Sequence, residues 1–212
     1  MLEYSFDAAI AATLLDKIIL NTDCHEIASC ADGINIHVPF LRPASLAQDN
    51  TPSFLVLKHA IQYFDSIGEW YDHIILLQPT CPFRECGFVD KCIEQFVATG
   101  ADSLVSVKKV PHEYNPHWVF ESNEDGFLKI ATGEKNIIPS RQLLPPAFIR
   151  DGSVYVMKAD NVRFSQSMYG VNVAMLESTL PWHVNIDTPE DWEKAERVAA
   201  LLQVNQSGLS LK

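Results

Sequence analysis

The stretch from Tyr71 to Arg84 constrains the fold more than any other part of this 212-residue chain. It contains an apolar run, residues 74–77, that has no polar face and predicts a strand at the centre of a parallel sheet covered by helices. The run stops at Gln78, and Pro79 and Pro82 then predict a stiff loop, because proline fixes φ and lacks a backbone donor. Ligands of open α/β sheets bind beyond the carboxyl ends of strands, so we expect Gln78 to lie at a functional site.

Helix and strand patterns alternate on both sides of this stretch. Helices are predicted at residues 3–15, 25–32, 53–67, 87–98 and 188–202, and strands at residues 17–20, 34–38, 101–107, 148–157, 171–175 and 182–184. The last helix carries its own start signal, with Thr188 as the cap, Pro189 at the first helical position and Asp191 at the capping-box position. The alternation predicts an α/β protein with an open, mostly parallel, Rossmann-like sheet flanked by helices.

A different pattern follows the strand predicted at residues 101–107. Two short apolar segments, residues 118–120 and 127–130, flank the turn signal Asn123-Glu124-Asp125-Gly126 and predict a β-hairpin. Residues 132–146 have no clear periodicity. We therefore predict one domain over residues 1–212, with an arm of approximately residues 112–147 projecting from it.

Composition limits the classes of function. The net charge of −11 argues against nucleic-acid binding, which needs a basic surface. No apolar run reaches membrane-spanning length, so we predict no membrane association and a cytoplasmic location by default. The five cysteines have no Cys-x-x-Cys spacing, which argues against a disulfide framework or a zinc site and favours reduced structural thiols.

Five blocks occur in one order along the chain: Asn21-Thr22-Asp23, Val38-Pro39-Phe40-Leu41-Arg42-Pro43, Leu76-Leu77-Gln78-Pro79-Thr80, Arg141-Gln142-x-Leu144-Pro145 and Ile186-Asp187-Thr188-Pro189-Glu190-Asp191. Together they resemble the acylneuraminate cytidylyltransferases, or CMP-sialic acid synthetases, including enzymes for related nine-carbon keto acids. The resemblance extends from about residue 2 to residue 202. It implies a nucleotide-diphospho-sugar transferase-like fold in a single nucleotidyltransferase domain, and a homodimer formed through the arm.

The resemblance also implies a reaction. Family members transfer CMP from CTP to the anomeric hydroxyl of a nine-carbon 2-keto-3-deoxy sugar acid and release pyrophosphate. This chemistry needs a divalent cation, here Mg²⁺, to neutralise the triphosphate, and polar groups that hold the sugar acid in line with the α-phosphorus. Sialic, legionaminic and pseudaminic acids all remain candidate substrates.

Individual residues take roles from the matching blocks. Arg42, Thr51 and Ser53 are expected to face the cytosine and ribose of CTP. The planar donors of Arg42 also suit the acceptor edge of cytosine, although a surface salt bridge is the alternative. Gln78 is expected to bind the sugar acid, or else to satisfy loop backbone. Arg141 is expected to meet the carboxylate or hydroxyls of the sugar, or else to form an intersubunit ion pair.

Asp187 is the candidate Mg²⁺ ligand, because it follows a predicted strand and carboxylate oxygens suit Mg²⁺. The family usually has a second aspartate where this chain has Asn185, so we expect weaker metal affinity. Asp191 is interpreted as a helix cap, and Asp23 as either a site residue or a cap. Tyr155 is interpreted mainly as a strand-core residue.

One departure from the family is larger. Family members begin with an apolar strand and a Gly-rich basic loop around the triphosphate, whereas Met1 falls where the following helix begins. We therefore expect impaired activity in the chain as written. The alternative is a non-catalytic homologue that binds a nucleotide or sugar acid, or pairs with a complete relative. A glycosyltransferase is disfavoured because the sequence has no Asp-x-Asp motif.

Overall fold

The structure, a computed structural model, describes residues 1–34 and 36–208, with side chains up to residue 202. Its helices are α1 (Leu2–Ile10), α2 (His25–Ser29), α3 (Ser53–Ser66), α4 (Phe88–Thr99), α5 (Ala159–Phe164) and α6 (Pro189–Gly208). Its strands are β1 (His73–Leu76), β2 (Ser103–Lys109), β3 (Phe120–Ser122), β4 (Leu128–Ile130), β5 (Phe148–Lys158) and β6 (Val173–Glu177). Single 3₁₀ turns lie at Ala44–Leu46, His112–Tyr114, Pro116–Trp118 and Arg141–Leu143.

Four strands form one sheet in the order β1-β5-β2-β6. Strand β5 is antiparallel to both β1 and β2, whereas β2 and β6 are parallel. The predicted α/β class with helices flanking a sheet is confirmed, but the sheet is mixed rather than mostly parallel. Strands β1, β2 and β6 point one way and β5 points the other, so the first residues of β5 lie at the same edge as the carboxyl ends of the other three.

The core lies on both faces of β5, because alternate side chains of a strand point to opposite faces. On one face Tyr155 and Met157 pack with residues of α3 and α5, including Leu57 and Val162. On the other face Val154 and Val156 pack with α4 residues such as Phe88, Cys92 and Phe96. Helices therefore cover both sides of the sheet, and β5 and β2 are its interior strands.

The prediction that residues 74–77 form a strand at the centre of the sheet is wrong for the described residues. Strand β1 is at one edge of the four-stranded sheet, and its residues are exposed or half-buried. An apolar run reports hydrophobicity but does not report which strands will be neighbours. The segments predicted as strands at residues 17–20 and 34–38, of which residue 35 lies outside the described residues, meet only through an isolated bridge between Ile19 and His37. The bridge is parallel, which confirms their predicted direction, and a second parallel bridge, Thr22–Leu41, lies just beyond both segments.

Helix ends show where local signals succeed and where tertiary contacts override them. The capping box of α6 is confirmed: the Asp191 N–H donates to Thr188 Oγ1 at 3.2 Å, and the Thr188 N–H donates to Asp191 Oδ2 at 3.1 Å. Helix α1 ends earlier than predicted, because the Thr13 and Leu14 N–H groups donate to the Asp90 carboxylate of α4. The prediction of a strand at residues 182–184 is wrong, because these residues form no regular secondary structure.

The arm contains the predicted hairpin, formed by β3 and β4 as a separate two-stranded sheet. Gly126 in its turn has φ +82°, and the Asn123 side chain accepts a hydrogen bond from the Phe127 N–H at 2.8 Å. The arm boundaries and the single-domain assignment stay predictions.

Two further sequence-based expectations concern membranes and disulfides. No helix among residues 1–34 and 36–208 has the length and apolar character needed to cross a bilayer. All five cysteines are free thiols, which agrees with the predicted lack of a disulfide framework.

Replacing a core leucine tests the position of this core. Leu104 of β2 is fully buried against α4, so Leu104→Ala leaves a cavity and is expected to lower the free energy of unfolding by about 2–5 kcal/mol. The matched control is Leu201→Ala at a side chain that is 56% exposed, with an expected change within about 0.5 kcal/mol. Urea unfolding followed by circular dichroism measures both. Equal losses in the two variants would contradict this core.

Candidate active site

Three side chains, two from the loop after β1 and one from the segment before α6, converge on Gly152 near the start of β5. A Cβ atom at this position would lie 3.3 Å from Gln78 Oε1, 3.5 Å from Asn185 Oδ1 and 3.7 Å from Cys81 Sγ. Gly152 also has φ +78°, a conformation that L side chains rarely adopt. The backbone conformation therefore favours glycine here, and a Cβ atom would in addition crowd the Gln78 amide.

Arg84 fixes the loop that carries Gln78. Its guanidinium donates to the Gln78 carbonyl at 2.8 Å, to the Ser153 carbonyl at 2.9 Å and to Ser5 Oγ at 3.2 Å. Burial lowers the pKa of Arg84 from its ordinary value, and these three acceptors compensate for the partly buried charge. The backbone of Gln78 is thereby tied to β5 and α1.

Cys81 also links this loop to β5. Its thiol is 1% exposed and donates to the Asp151 carbonyl at 2.8 Å. Burial raises the pKa of the Cys81 thiol, so this side chain stays neutral and is a poor nucleophile. The contacts make Cys81 a small residue that links the loop to β5.

The segment before α6 lies against this loop although it forms no strand. The Ile186 N–H donates to the Thr80 carbonyl at 2.8 Å. This bond brings Asn185 beside Gly152, and the Asn185 amide donates to the Asp187 carboxylate. The structure thus brings the predicted residues Gln78, Asn185 and Asp187 to one edge of the sheet.

The donor set around Asp187 can be tested against the needs of Mg²⁺. No group of three or more His, Cys, Asp or Glu side chains among the described residues is arranged to hold a metal ion. Mg²⁺ in nucleotide enzymes commonly takes one or two protein carboxylates, with substrate phosphates and waters completing the octahedron. The Asp187 carboxylate fits such an open site, which would depend on the nucleotide for most of its ligands. The Asn185 amide turns its nitrogen to Asp187 and its oxygen towards Gly152, so the side chain has to rotate before its oxygen can join Asp187 as a ligand.

The predicted nucleotide contacts do not all come together. Arg42 Nη2 lies 3.4 Å from Asp23 Oδ1, a long ion pair, while its buried Nε has no hydrogen-bond partner among the described residues. Thr51 Oγ1 accepts the Gln48 N–H at 3.1 Å within a local turn. Ser53 begins α3 at a pocket that neither Arg42 nor Thr51 lines.

This pocket has a volume of about 250 Å³ and lies beyond the carboxyl end of β1. Its polar lining includes Ser53, Gln78, Arg150, Tyr155 and Tyr169. The sequence patterns did not point to Arg150 or Tyr169, and they favoured a core role for Tyr155. Tyr155 is a core residue, since it is only 4% exposed, and it also borders the pocket.

Arg150 and Tyr155 share the pocket because the pairing of β2 and β5 is irregular. Val105 pairs with Tyr155 and Val107 pairs with Arg150, so a step of two positions along β2 corresponds to a step of five positions along β5. A regular strand would point positions 150 and 155 to opposite faces. The only local signal was Gly152, a residue that often marks a bulge within a strand pattern.

Arg141, the other predicted sugar contact, lies elsewhere. It begins the exposed 3₁₀ turn Arg141–Leu143 in the arm and does not line the pocket. A second cavity of about 280 Å³ lies between α1, the loop after β1 and α6, and its lining includes Phe83, Phe88 and Trp182. None of the predicted site residues lines this second cavity.

The chain is similar in sequence to several known bacterial proteins. No family model matches the chain. The CMP-N,N'-diacetyllegionaminic acid synthase of Legionella pneumophila is 26% identical over 213 aligned positions, covering 99% of this chain and 88% of that protein. The pseudaminic acid cytidylyltransferase of Campylobacter jejuni is 26% identical over 155 positions, covering 73% of this chain and 66% of that protein. These relatives confirm the resemblance carried by the five sequence blocks.

A solved structure supports the fold. A CMP:2-keto-3-deoxy-manno-octonic acid synthetase complexed with CTP superimposes with a TM-score of 0.64 at 14% identity. The match covers 94% of this chain and 87% of the other. At this identity the likeness concerns the fold alone.

Thiol labelling tests the packing of the Gln78 loop. Cys81 and Cys92 are buried, and burial raises the pKa of the Cys92 thiol to about 12, so both present little thiolate at pH 8. Iodoacetamide is expected to modify the exposed Cys30 and Cys86 first, as read by mass spectrometry. In urea all thiols should react alike. Labelling of Cys81 in the folded protein as fast as Cys86 would contradict the packing.

Proposed function

This chain is a homologue of the acylneuraminate-type cytidylyltransferases, and on that premise we propose that it transfers CMP from CTP to the anomeric hydroxyl of a nine-carbon 2-keto-3-deoxy sugar acid, releasing pyrophosphate. The main structural support is the convergence of Gln78 with Asn185, the partner of Asp187, on Gly152. A sugar-binding amide and a carboxylate suited to a cation are thereby neighbours at one sheet edge.

In this proposal Gln78 orients the acceptor sugar. An amide side chain can both donate and accept hydrogen bonds, so it can bind a hydroxyl that acts as acceptor or as donor. Arg84 and Cys81 hold its loop rigidly, and a fixed acceptor position contributes to the rate by keeping the attacking oxygen near the α-phosphorus. Arg141 remains a proposed contact to the sugar acid from the arm.

Asp187, with Asn185, is the proposed site for Mg²⁺. When bound, the cation would supply neutralisation of the triphosphate charge during transfer. The Asn185 amide supplies an oxygen but no negative charge, so we expect lower affinity for the cation than two carboxylates would give.

The nucleotide base and ribose are assigned to Arg42, Thr51 and Ser53. The buried Arg42 Nε has no hydrogen-bond partner among the described residues, which supports a ligand role, since an unmatched buried donor is costly. The 3.4 Å separation from Asp23 leaves the guanidinium able to turn to an acceptor edge.

We also propose that the protein acts as a homodimer through its arm. Three side chains of the hairpin, Phe120, Phe127 and Leu128, are 45%, 72% and 67% exposed. An isolated two-stranded hairpin is marginally stable in water, and burial against a second copy would stabilise it. The cytoplasmic location stays a prediction.

A pyrophosphate-release assay tests the reaction. The protein is mixed with CTP, Mg²⁺ and, in turn, N-acetylneuraminic, N,N'-diacetyllegionaminic and pseudaminic acids. Asp187→Asn is expected to lower kcat by about 100-fold or more, because a charge that stabilises the cation is removed. Asp32→Asn, at an exposed turn, is the matched control with unchanged activity.

The possible outcomes separate the two interpretations. Release with one acid, lost on chelation of Mg²⁺, would support the enzyme. Binding of CTP or acid without release in any mixture would favour the non-catalytic alternative. Full activity in Asp187→Asn would remove Asp187 from the proposed metal site.

The proposed dimer is tested by sedimentation velocity. Phe127→Asp is expected to shift the protein from dimer to monomer, because a charge on the hairpin opposes burial. Phe164→Asp, at a side chain 82% exposed on α5, is the matched control and should remain dimeric. A monomeric wild-type protein, or a dimeric Phe127→Asp variant, would contradict the assignment.

A further inference from the structure

We propose that Arg150 is the residue that binds the carboxylate of the sugar acid, in the pocket that it lines with Gln78. The inference rests on the proposed function for the identity of the acid. It rests on the structure for the choice of Arg150, because this residue borders the pocket and Arg141 does not.

The charge of Arg150 is uncompensated by protein. Among the described residues no carboxylate pairs with it, and no Asp or Glu lines the pocket. Its one hydrogen bond to a side chain is from Nη1 to the Tyr169 hydroxyl, at 3.5 Å. By contrast, Arg163 on α5 donates to the Asp65 carboxylate through both Nε and Nη2. Arg150 therefore keeps its donors free for an incoming anion.

Two phenols, Tyr155 and Tyr169, line the pocket together with the exposed Arg150. Burial raises the pKa of Tyr155, so its hydroxyl is neutral at physiological pH. The nearby Tyr155 and the hydrogen bond to Tyr169 raise the pKa of Arg150, which favours its charged form. Neither phenol cancels the charge of the guanidinium.

The amino end of α3 adds to the positive potential. Ser53 and Phe54 line the pocket and are the first residues of this 14-residue helix. The first N–H groups of a helix lack intrahelical acceptors and carry the positive end of its dipole. A carboxylate between Arg150 and this helix end would be stabilised by the charge of the guanidinium and by the positive end of the helix dipole.

The rest of the pocket matches a polyhydroxylated acid better than a simple anion. Gln78 and Ser53 offer groups that donate and accept, which suit hydroxyls. Because β5 enters antiparallel and its pairing is irregular at Gly152, Arg150 and Gln78 border one cavity. One substrate can thus place its carboxylate on Arg150 and its hydroxyls on Gln78.

Binding of acid and ester pairs isolates the carboxylate contact. Calorimetry would use N,N'-diacetyllegionaminic acid and N-acetylneuraminic acid, each as the free acid and as the methyl ester, with and without CTP and without Mg²⁺. Wild-type protein is expected to prefer a free acid over its ester by about 10- to 100-fold, typical of a charged hydrogen-bonded pair.

The variants then assign that preference to one side chain. Arg150→Ala is expected to bind acid and ester equally, and Arg150→Lys to recover part of the preference, because lysine keeps the charge but not the planar fork. Arg197→Ala, at an exposed arginine of α6, is the matched control and should keep the full preference. In turnover, Arg150→Ala should raise KM for the acid by about 10- to 100-fold and leave KM for CTP unchanged.

The outcomes separate this inference from the proposed function. An unchanged acid preference in Arg150→Ala, with turnover intact, would overturn the inference and leave the function standing. A lost preference without turnover in the wild-type protein would support Arg150 and count against the function. Failure of both acids to bind the wild-type protein would overturn both.

Discussion

The three hydrogen bonds donated by Arg84 are the interaction on which the site depends most. They join the Gln78 carbonyl after β1 to the Ser153 carbonyl of β5 and to α1. Because a partly buried guanidinium without acceptors would be strongly destabilising, these bonds also specify how the loop packs. Further contacts surround the Gln78 loop. Cys81 contacts the carbonyls of Asp151 and Val184, and the Ile186 N–H donates to the Thr80 carbonyl.

The direction of β5 determines which residues meet at that loop. In a fully parallel sheet, only residues at carboxyl ends would converge on the ligand edge. Here β5 runs antiparallel, so its amino-terminal residues, Arg150 to Ser153, arrive there as well. Their irregular pairing with β2 turns Arg150 to the pocket and leaves Gly152 facing Gln78. The same strand also supplies the core on both faces, so its packing and the site are built together.

Particular elements show how far local reasoning reached. The capping box at Thr188 and Asp191, the turn ending at Gly126 and the placement of Gln78 beyond a strand were predictable, because each depends on a few neighbouring residues. The edge position of β1 was not predictable, since its hydrophobic run does not indicate which strands lie beside it. The early end of α1 was also not predictable, because it depends on Asp90, which accepts the N–H group of Thr13 from 77 residues away along the chain.

By itself the sequence determined the α/β class, the family resemblance and two residue types at the site: an amide after a strand and a carboxylate before a helix. These follow from periodicity, capping chemistry and motif order, all of which are local along the chain. Only the tertiary structure decided that Arg150, rather than Arg141, shares a pocket with Gln78. That choice depends on the direction and irregular pairing of β5, which arise from hydrogen bonds between distant segments and leave little trace in local sequence.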